Sequence, residues 1–252
     1  MIKVVSFTIC PFVQRITALL AAKNIPYEIE YISLSNKPQW FLDISPNGQV
    51  PVLITENNTA LFESDAIAEY LDDVFPVLTP TATPERKALD RAWVYQATKH
   101  YLVQCGTMRS SNAARYHEKL SKLAQAFAKA EKALSEQDET VNFWHGSELS
   151  NVDLAWLPLL HRADIIARHS GIDMLADFPA VKTWQKALLA MNTENGENLV
   201  QASVSVDFEQ KFSDFYLSQQ SYLGQKKAEK QGECCAVQTT ENTVEQCATS
   251  CC

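Results

Sequence analysis

Apolar and polar residues alternate in short runs over the first 75 positions, and these runs predict a small unit in which strands and helices follow one another. β-Branched and aromatic residues indicate strands over 3–8, 27–33, 50–54 and 60–62. Apolar residues at helical spacing indicate helices over 12–23, 38–42 and 64–75. The predicted order of elements is therefore β-α-β-α-β-β-α.

A segment punctuated by prolines, 77–83, separates this unit from a part of the chain with a different pattern. Long helical periodicities then dominate over 85–112, 113–135, 151–169, 180–191 and 206–219. Ser150 and Asp153 fit a capping box at the start of the third of these helices. We therefore predict two domains, an α/β domain over 1–78 and an all-helical domain over 85–222.

The last segment, 223–252, has few large apolar residues, and we expect it to be disordered. It carries five of the seven cysteines, which are Cys234, Cys235, Cys247, Cys251 and Cys252. Such thiols could hold a soft metal such as Cu(I) or Zn, but their spacing differs from that of C-x-x-C zinc sites. We favour a tail whose thiols do no chemistry, and we assign no metal site.

Composition and charge exclude several classes of function. The formal net charge is -8, which argues against a nucleic-acid binder and against a polybasic membrane surface. No apolar run approaches the eighteen or so residues of a spanning helix. Polar residues interrupt the N-terminal apolar run, which favours a strand and a helix over a signal peptide. We expect a cytoplasmic protein whose cysteines are thiols.

Cys10 is the candidate nucleophile, because it lies where the first predicted strand meets the start of a helix. Pro11 suits the first helical position, and the free N–H groups of the helix start favour a thiolate. Such sites lower a cysteine pKa to between ~3.5 and ~7.5. Val13 stands where a dithiol motif has its second cysteine, so the site is monothiol and needs a partner thiol. The alternative, a buried core cysteine, is less favoured.

Two further features suggest a small peptide as the source of that thiol. A cis bond between Val50 and Pro51 would leave the Val50 backbone free to pair with an extended ligand. The alternative is an edge-strand proline with no ligand. Glu63 and Ser64 open a helix whose N–H groups could hold a carboxylate, although spacing alone favours simple N-capping.

Three spaced motifs together resemble the cytosolic glutathione S-transferases, and most closely the omega class. They are ICPFVQR at 9–15, SLSNKPQWFLDISPNGQVPVL at 33–53 and LFESDAIAEYLDDVFP at 61–76. The resemblance covers nearly all of 1–80 and extends more loosely to about residue 220. It implies a thioredoxin-like N-terminal domain followed by an all-α domain.

The resemblance also implies roles for individual residues. Cys10 matches the catalytic cysteine that forms a mixed disulfide with glutathione, and Phe12 follows it beside the glutathione site. Lys37 matches the lysine that pairs with the glycine carboxylate of glutathione. The remaining matches are Val50, whose backbone holds the cysteinyl part, the cis proline Pro51, and the pair Glu63 and Ser64 at the γ-glutamyl end.

The implied activity is glutathione-dependent thiol transfer or dehydroascorbate reduction, with glutathione as co-substrate and a small electrophile or disulfide as partner. Two alternatives stay open: a glutathione-binding regulatory or interaction protein without turnover, and a conjugating transferase. A homodimer is the family expectation. The residues that we predict to line a second-substrate cleft are Tyr95, Tyr101, Trp156 and His161.

Overall fold

The computed structural model describes residues 1–137 and 142–240. Its N-terminal unit contains a four-stranded sheet in the order β2-β1-β3-β4, with β1 and β2 parallel and the other neighbours antiparallel. Its elements are β1 (Ile2–Ser6), α1 (Pro11–Ala22), β2 (Tyr27–Tyr31), α2 (Gln39–Ile44), β3 (Val52–Ile54), β4 (Ala60–Phe62) and α3 (Ser64–Val74). This is the predicted order, and the thioredoxin-like fold is confirmed.

Apolar side chains along β1 and β3 point alternately to the two faces of the sheet, and each face packs against a different helix. Val4 pairs with Leu53, and both are buried in the main core, which also contains Ile16 of α1. Their neighbours Val5 and Val52 point to the other face and pack with Phe41 of α2. Because side chains alternate along a strand, the sheet is covered on both faces.

All the regular elements in the described part of the second unit are helices, with isolated β-bridges only in the connections. Its helices are α4 (Pro84–Met108), α5 (Ala113–Ser135), α6 (Asn151–Ser170), α7 (Pro179–Ala190), α8 (Leu199–Ser203), α9 (Phe208–Tyr216) and α10 (Tyr222–Thr240). Asn112 caps α5 by accepting a hydrogen bond from the Arg115 N–H, so the predicted first helix ends four residues early. The all-α class predicted for this part of the chain is confirmed.

Helix α6 forms the centre of the helical unit. Its capping box is present, since the buried Asp153 carboxylate accepts from the Ser150 N–H at 2.8 Å and from the Ser150 hydroxyl at 2.6 Å. The same carboxylate accepts from the Trp184 indole N–H at 2.7 Å. Helix α6 also packs against α1, which brings the centre of the helical unit to the helix that begins after Cys10.

The prediction of disorder from residue 223 is wrong for the described part of that segment. Helix α10 runs to Thr240, because its first turns are anchored by packing that composition does not reveal. Leu223 is fully buried, and the Tyr222 ring lies against Tyr116. Residues 241–252, with Cys247, Cys251 and Cys252, lie outside the described residues. The possible metal site at the tail cysteines includes these three residues and therefore stays untested.

No helix in the described part of the chain is long and apolar enough to span a membrane.

Candidate functional site

Cys10 occupies the N-cap position of α1, and Pro11 follows at the start of the helix. The Cys10 N–H donates to the carbonyl of Phe7 at 3.0 Å, which fixes the turn between β1 and α1. The thiol is free and half-buried, and its sulfur lies 4.0 Å from the carbonyl oxygen of Val50. The predicted junction of strand, cysteine and helix is therefore present.

The electrostatics of Cys10 differ from the sequence prediction. Burial raises the pKa of the Cys10 thiol to about 11. The N–H groups of Val13 and Phe12 and the positive charge of Arg162 act in the opposite direction, as a helix start should, but removal from water outweighs them. The prediction of a lowered Cys10 pKa is wrong, because it considered the N–H groups at the helix start and did not consider the removal of the thiol from water.

A cavity of about 330 Å³ opens beside the Cys10 sulfur. All seven residues that the sequence assigns to catalysis or glutathione binding line it: Cys10, Phe12, Lys37, Val50, Pro51, Glu63 and Ser64. The sequence did not single out several other residues of its wall, among them Leu34, Asn47, Gln49, Phe62 and Leu102. Four separate segments of the N-terminal unit thus converge on one sulfur.

The Val50–Pro51 peptide bond is cis. The alternative of an edge-strand proline is wrong, because β3 lies between β1 and β4. The strand begins only at Val52, since proline has no N–H for the ladder. Within the described residues, the Val50 N–H donates to no backbone or side-chain acceptor, so the cavity wall offers an unused backbone donor next to Cys10.

Glu63, which lines the cavity, takes an unusual backbone conformation. Its φ of 66° and ψ of 117° are costly for a residue with a side chain, and such outliers are frequent at ligand sites. The Asn47 amide donates to the Glu63 carboxylate at 3.0 Å and holds it in place. Ser64 is buried at the first position of α3, and no side chain caps this helix. Simple N-capping therefore does not explain the pair.

Lys37 reaches the cavity by passing over Gly48. A Cβ on Gly48 would lie 3.4 Å from the Lys37 Nζ, and the Gly48 φ of +58° also favours glycine. The predicted Ser45–Gly48 turn thus leaves room for the ammonium group. The other nearby cation in the sequence motif, Arg15, pairs with Asp65 of α3 and lines a different depression.

Two family models match the chain where the two structural units lie. The model described as "Glutathione S-transferase, N-terminal domain" matches residues 9–74, and that described as "Glutathione S-transferase, C-terminal domain" matches residues 113–187. Together they span more than half of the sequence. The chain belongs to the glutathione S-transferase family.

Relatives within the glutathione S-transferases include members of the omega class, as the motifs predicted. Glutathione S-transferase omega-1 of Sus scrofa is 31% identical over 191 residues, which are 75% of this chain and 77% of that protein. Glutathione S-transferase DHAR3, chloroplastic, of Arabidopsis thaliana is 30% identical over 178 residues, 70% of this chain and 64% of that protein.

Solved glutathione S-transferase structures share the architecture. Glutathione transferase Omega 3C from Trametes versicolor has a TM-score of 0.66 and 26% identity, over 81% of this chain and 89% of that one. Dehydroascorbate reductase from Chlamydomonas reinhardtii has a TM-score of 0.61 and 20% identity, over 85% of this chain and 98% of that one, and shows the common fold.

The four residues predicted for a second-substrate cleft do not line the cavity at Cys10. Tyr101 and Trp156 are fully buried, and Trp156 packs among Trp93, Phe127 and Trp184 in the aromatic core of the helical unit. Because neither side chain reaches a surface, this part of the cleft prediction is wrong.

The other two residues lie at separate surfaces of the glutathione S-transferase fold. Tyr95 is exposed beside a different depression, which Arg91 and Asp72 also line. His161 is buried below a groove between α6, α8 and α9, and burial lowers its pKa to about 3. The helical unit contributes Leu102 to the cavity instead, on the exposed face of α4 next to buried Tyr101.

Proposed function

We propose that this chain is a glutathione-dependent thiol transferase and reductase that works through a mixed disulfide between Cys10 and glutathione. One observation carries the proposal: the Cys10 sulfur opens into the same 330 Å³ cavity as Lys37, the Val50 backbone, Glu63 and Ser64. A nucleophilic sulfur thus adjoins groups that suit both ends and the middle of a small charged peptide.

The chemistry of the cavity wall fits glutathione group by group. The γ-glutamyl end carries an ammonium, which suits the Glu63 carboxylate, and a carboxylate, which suits the Ser64 hydroxyl and the start of α3. The unused Val50 N–H suits the backbone carbonyl of the central residue, and the Lys37 ammonium suits the terminal carboxylate. The cysteinyl sulfur would then face Cys10, where exchange takes place.

Thiol transfer takes two exchange steps. The Cys10 thiolate attacks the glutathionyl sulfur of a mixed disulfide, a Cys10–glutathione S–S bond forms, and the substrate leaves as a thiolate that takes up a proton. The thiolate of a second glutathione then attacks the glutathionyl sulfur on Cys10. Oxidised glutathione leaves, and the released Cys10 thiolate takes up a proton.

Reduction of dehydroascorbate uses the same site. Two glutathione thiols supply two electrons and two protons, and the products are ascorbate and one glutathione disulfide. The names of a relative and of a structural neighbour support this substrate class, since DHAR3 and the Chlamydomonas reinhardtii protein are a DHAR-type transferase and a dehydroascorbate reductase.

Two alternatives make different demands on Cys10. A conjugating transferase activates glutathione with a hydroxyl, yet Ser6 is buried within β1 and away from the cavity wall. A binding protein without turnover would need the same pocket and no reactive sulfur. The free Cys10 thiol that lines the cavity favours exchange over both.

The deciding experiment compares wild type with Cys10→Ser in a glutathione-coupled assay with hydroxyethyl disulfide and with dehydroascorbate. We expect loss of both activities while the variant still binds glutathione resin. Cys105→Ser, at the other described thiol, is the control and should keep both activities. Full activity of Cys10→Ser would overturn the exchange mechanism, and an inactive wild type would favour the binding protein.

We also propose a cytoplasmic homodimer. Support for the dimer comes from exposed apolar residues on α3 and α4, which are Val74, Leu89 and Tyr95. Light scattering coupled to gel filtration should give twice the chain mass of 28.3 kDa, and a mass of one chain would contradict this proposal.

A further inference from the structure

Helix α6 buries an arginine beneath the catalytic turn. Arg162 is fully buried, and its Nη2 donates to the carbonyl of Ile9 at 3.0 Å, one residue before Cys10. Its Nη1 donates to the Pro158 carbonyl at 3.0 Å and to the Gln14 side-chain oxygen. The guanidinium therefore joins α6 of the helical unit to Ile9, which precedes Cys10, and to Gln14 in the first turn of α1.

The charge on Arg162 has no counter-ion in the part of the chain that the structure describes. Its partners are two backbone carbonyls, the neutral amide of Gln14 and the ring of Phe208, 5.4 Å from the guanidinium carbon. Its Nε is buried without a hydrogen-bond partner among the described residues. A buried charge without a counter-ion costs folding free energy, so packing alone gives no reason for it.

The titratable groups that surround Cys10 and Arg162 leave this charge uncancelled. Burial raises the pKa of Tyr101 of α4 and of Tyr216 of α9, and lowers that of His161 to about 3, so all three are neutral at pH 7. Cys105 of α4 also faces both groups.

The remaining charged groups near the turn occur in opposite signs. Arg15 of α1 is paired with Asp65 of α3. Lys37 and Glu63 line the cavity with one charge each. Neither combination supplies a net charge that could replace that of Arg162.

We propose that Arg162 is a positioning residue for Cys10, which fixes the catalytic turn through the Ile9 carbonyl and stabilises negative charge on the Cys10 sulfur. The inference rests on the proposed exchange reaction, in which the Cys10 thiolate attacks in the first step and leaves in the second. Arg162 acts to lower the Cys10 pKa against the larger effect of burial. Gln14 serves this role by being neutral, since it orients the guanidinium without cancelling its charge.

The test uses the pH dependence of Cys10 alkylation by iodoacetamide, read on the Cys10 peptide by mass spectrometry. This readout needs neither glutathione nor turnover, so it can fail while the proposed function stands. The informative variant is Gln14→Glu, which keeps the shape and the acceptor for Arg162, adds a counter-ion, and replaces the amide donor to His161 Nδ1 and Ser203 Oγ by a carboxylate oxygen. Arg162→Met removes the charge, and Arg162→Lys keeps it.

We expect Gln14→Glu and Arg162→Met to slow alkylation at pH 7.5 about tenfold, the effect of one pKa unit, and Arg162→Lys to stay within about threefold of wild type. Gln185→Glu is the matched control, because it places a carboxylate at another buried amide, on α7, that bonds the Leu160 carbonyl at 2.8 Å. It should lower stability without changing the pH profile of Cys10.

A structural role alone would change the urea midpoint and leave the alkylation profile unchanged. An unchanged profile in folded Gln14→Glu therefore overturns the proposal, whether or not Arg162→Met folds. A slowed profile in Gln14→Glu together with a normal profile in Gln185→Glu supports it.

Discussion

The sulfur of Cys10 lies 4.0 Å from the carbonyl oxygen of Val50, the residue that precedes the cis proline. The two residues are forty positions apart and come from different strand ends. Their approach places a thiol beside a backbone segment whose N–H is unused among the described residues. This pairing of a nucleophile with a free peptide edge is the geometric basis of the proposed reaction with a peptide thiol.

The raised pKa of Cys10 predicts how its reactivity depends on pH. Only the thiolate is alkylated, and its fraction rises about tenfold per pH unit below the pKa of about 11. The rate of iodoacetamide labelling of the Cys10 peptide should therefore still climb between pH 8 and pH 10. A plateau below pH 8 would show that the helix start outweighs burial after all.

Replacement of Lys37 by methionine should weaken glutathione binding with little effect on kcat. The substitution keeps the aliphatic stem and removes the charge, so we expect about 1 kcal/mol of lost binding and a KM for glutathione about fivefold higher. Lys122→Met, at an exposed position of α5, is the control. Equal KM values for the two variants would show that the glycine carboxylate of glutathione does not bind at Lys37.

Replacing Glu63 with glycine should weaken glutathione binding without lowering the stability of the fold. Glu63→Gln and Glu63→Gly both remove the carboxylate and should raise the KM for glutathione about tenfold, because an ammonium loses its partner. The glycine variant also relieves the positive φ and should unfold at the same urea concentration as wild type or a higher one. Asn58→Gly, at another positive φ, should leave the KM unchanged. A lower urea midpoint for Glu63→Gly than for wild type would contradict the conclusion that the backbone at Glu63 is strained.

His161 should make the fold sensitive to acid. Its pKa falls from 6.5 to about 3 on folding, so between these values the unfolded chain binds a proton that the folded chain excludes. Stability is thus lost as the pH falls below 6.5, by up to about 1.4 kcal/mol per unit from this group. His161→Gln should lose less stability than wild type between pH 6.5 and pH 5 in urea titrations. An equal loss would exclude a neutral buried His161.

The sequence predicts the cavity residues of the N-terminal unit better than those of the helical unit, and the reason is physical. Cys10, Val50 and Glu63 each lie where a strand meets a turn or a helix, and the sheet order alone brings such ends together. The lining from the helical unit depends on how α4 is rotated against the sheet. Tyr101 and Leu102 are neighbours in sequence, yet one is buried and the other is exposed at the cavity. Helical periodicity does not decide between them.

The pKa of Cys10 and the helix α10 escaped prediction for a related reason. Desolvation of the thiol depends on how the main core packs against Cys10, and that core contains residues remote from Cys10 in sequence. Helix α10 is held by Leu223 in the core and by Lys230, which donates to the Arg168 carbonyl at 2.6 Å. Both effects come from tertiary contacts that no local pattern records.

The most direct test of the account is to trap the mixed disulfide. Purified protein is reduced, exposed to glutathione disulfide, quenched with acid and digested, and the glutathionylated peptides are quantified by mass spectrometry. We predict that the peptide with Cys10 carries one glutathionyl group, that excess glutathione removes it, and that Lys37→Met slows its formation. Glutathione found on Cys105 or the tail cysteines while Cys10 stays free would contradict the central claim.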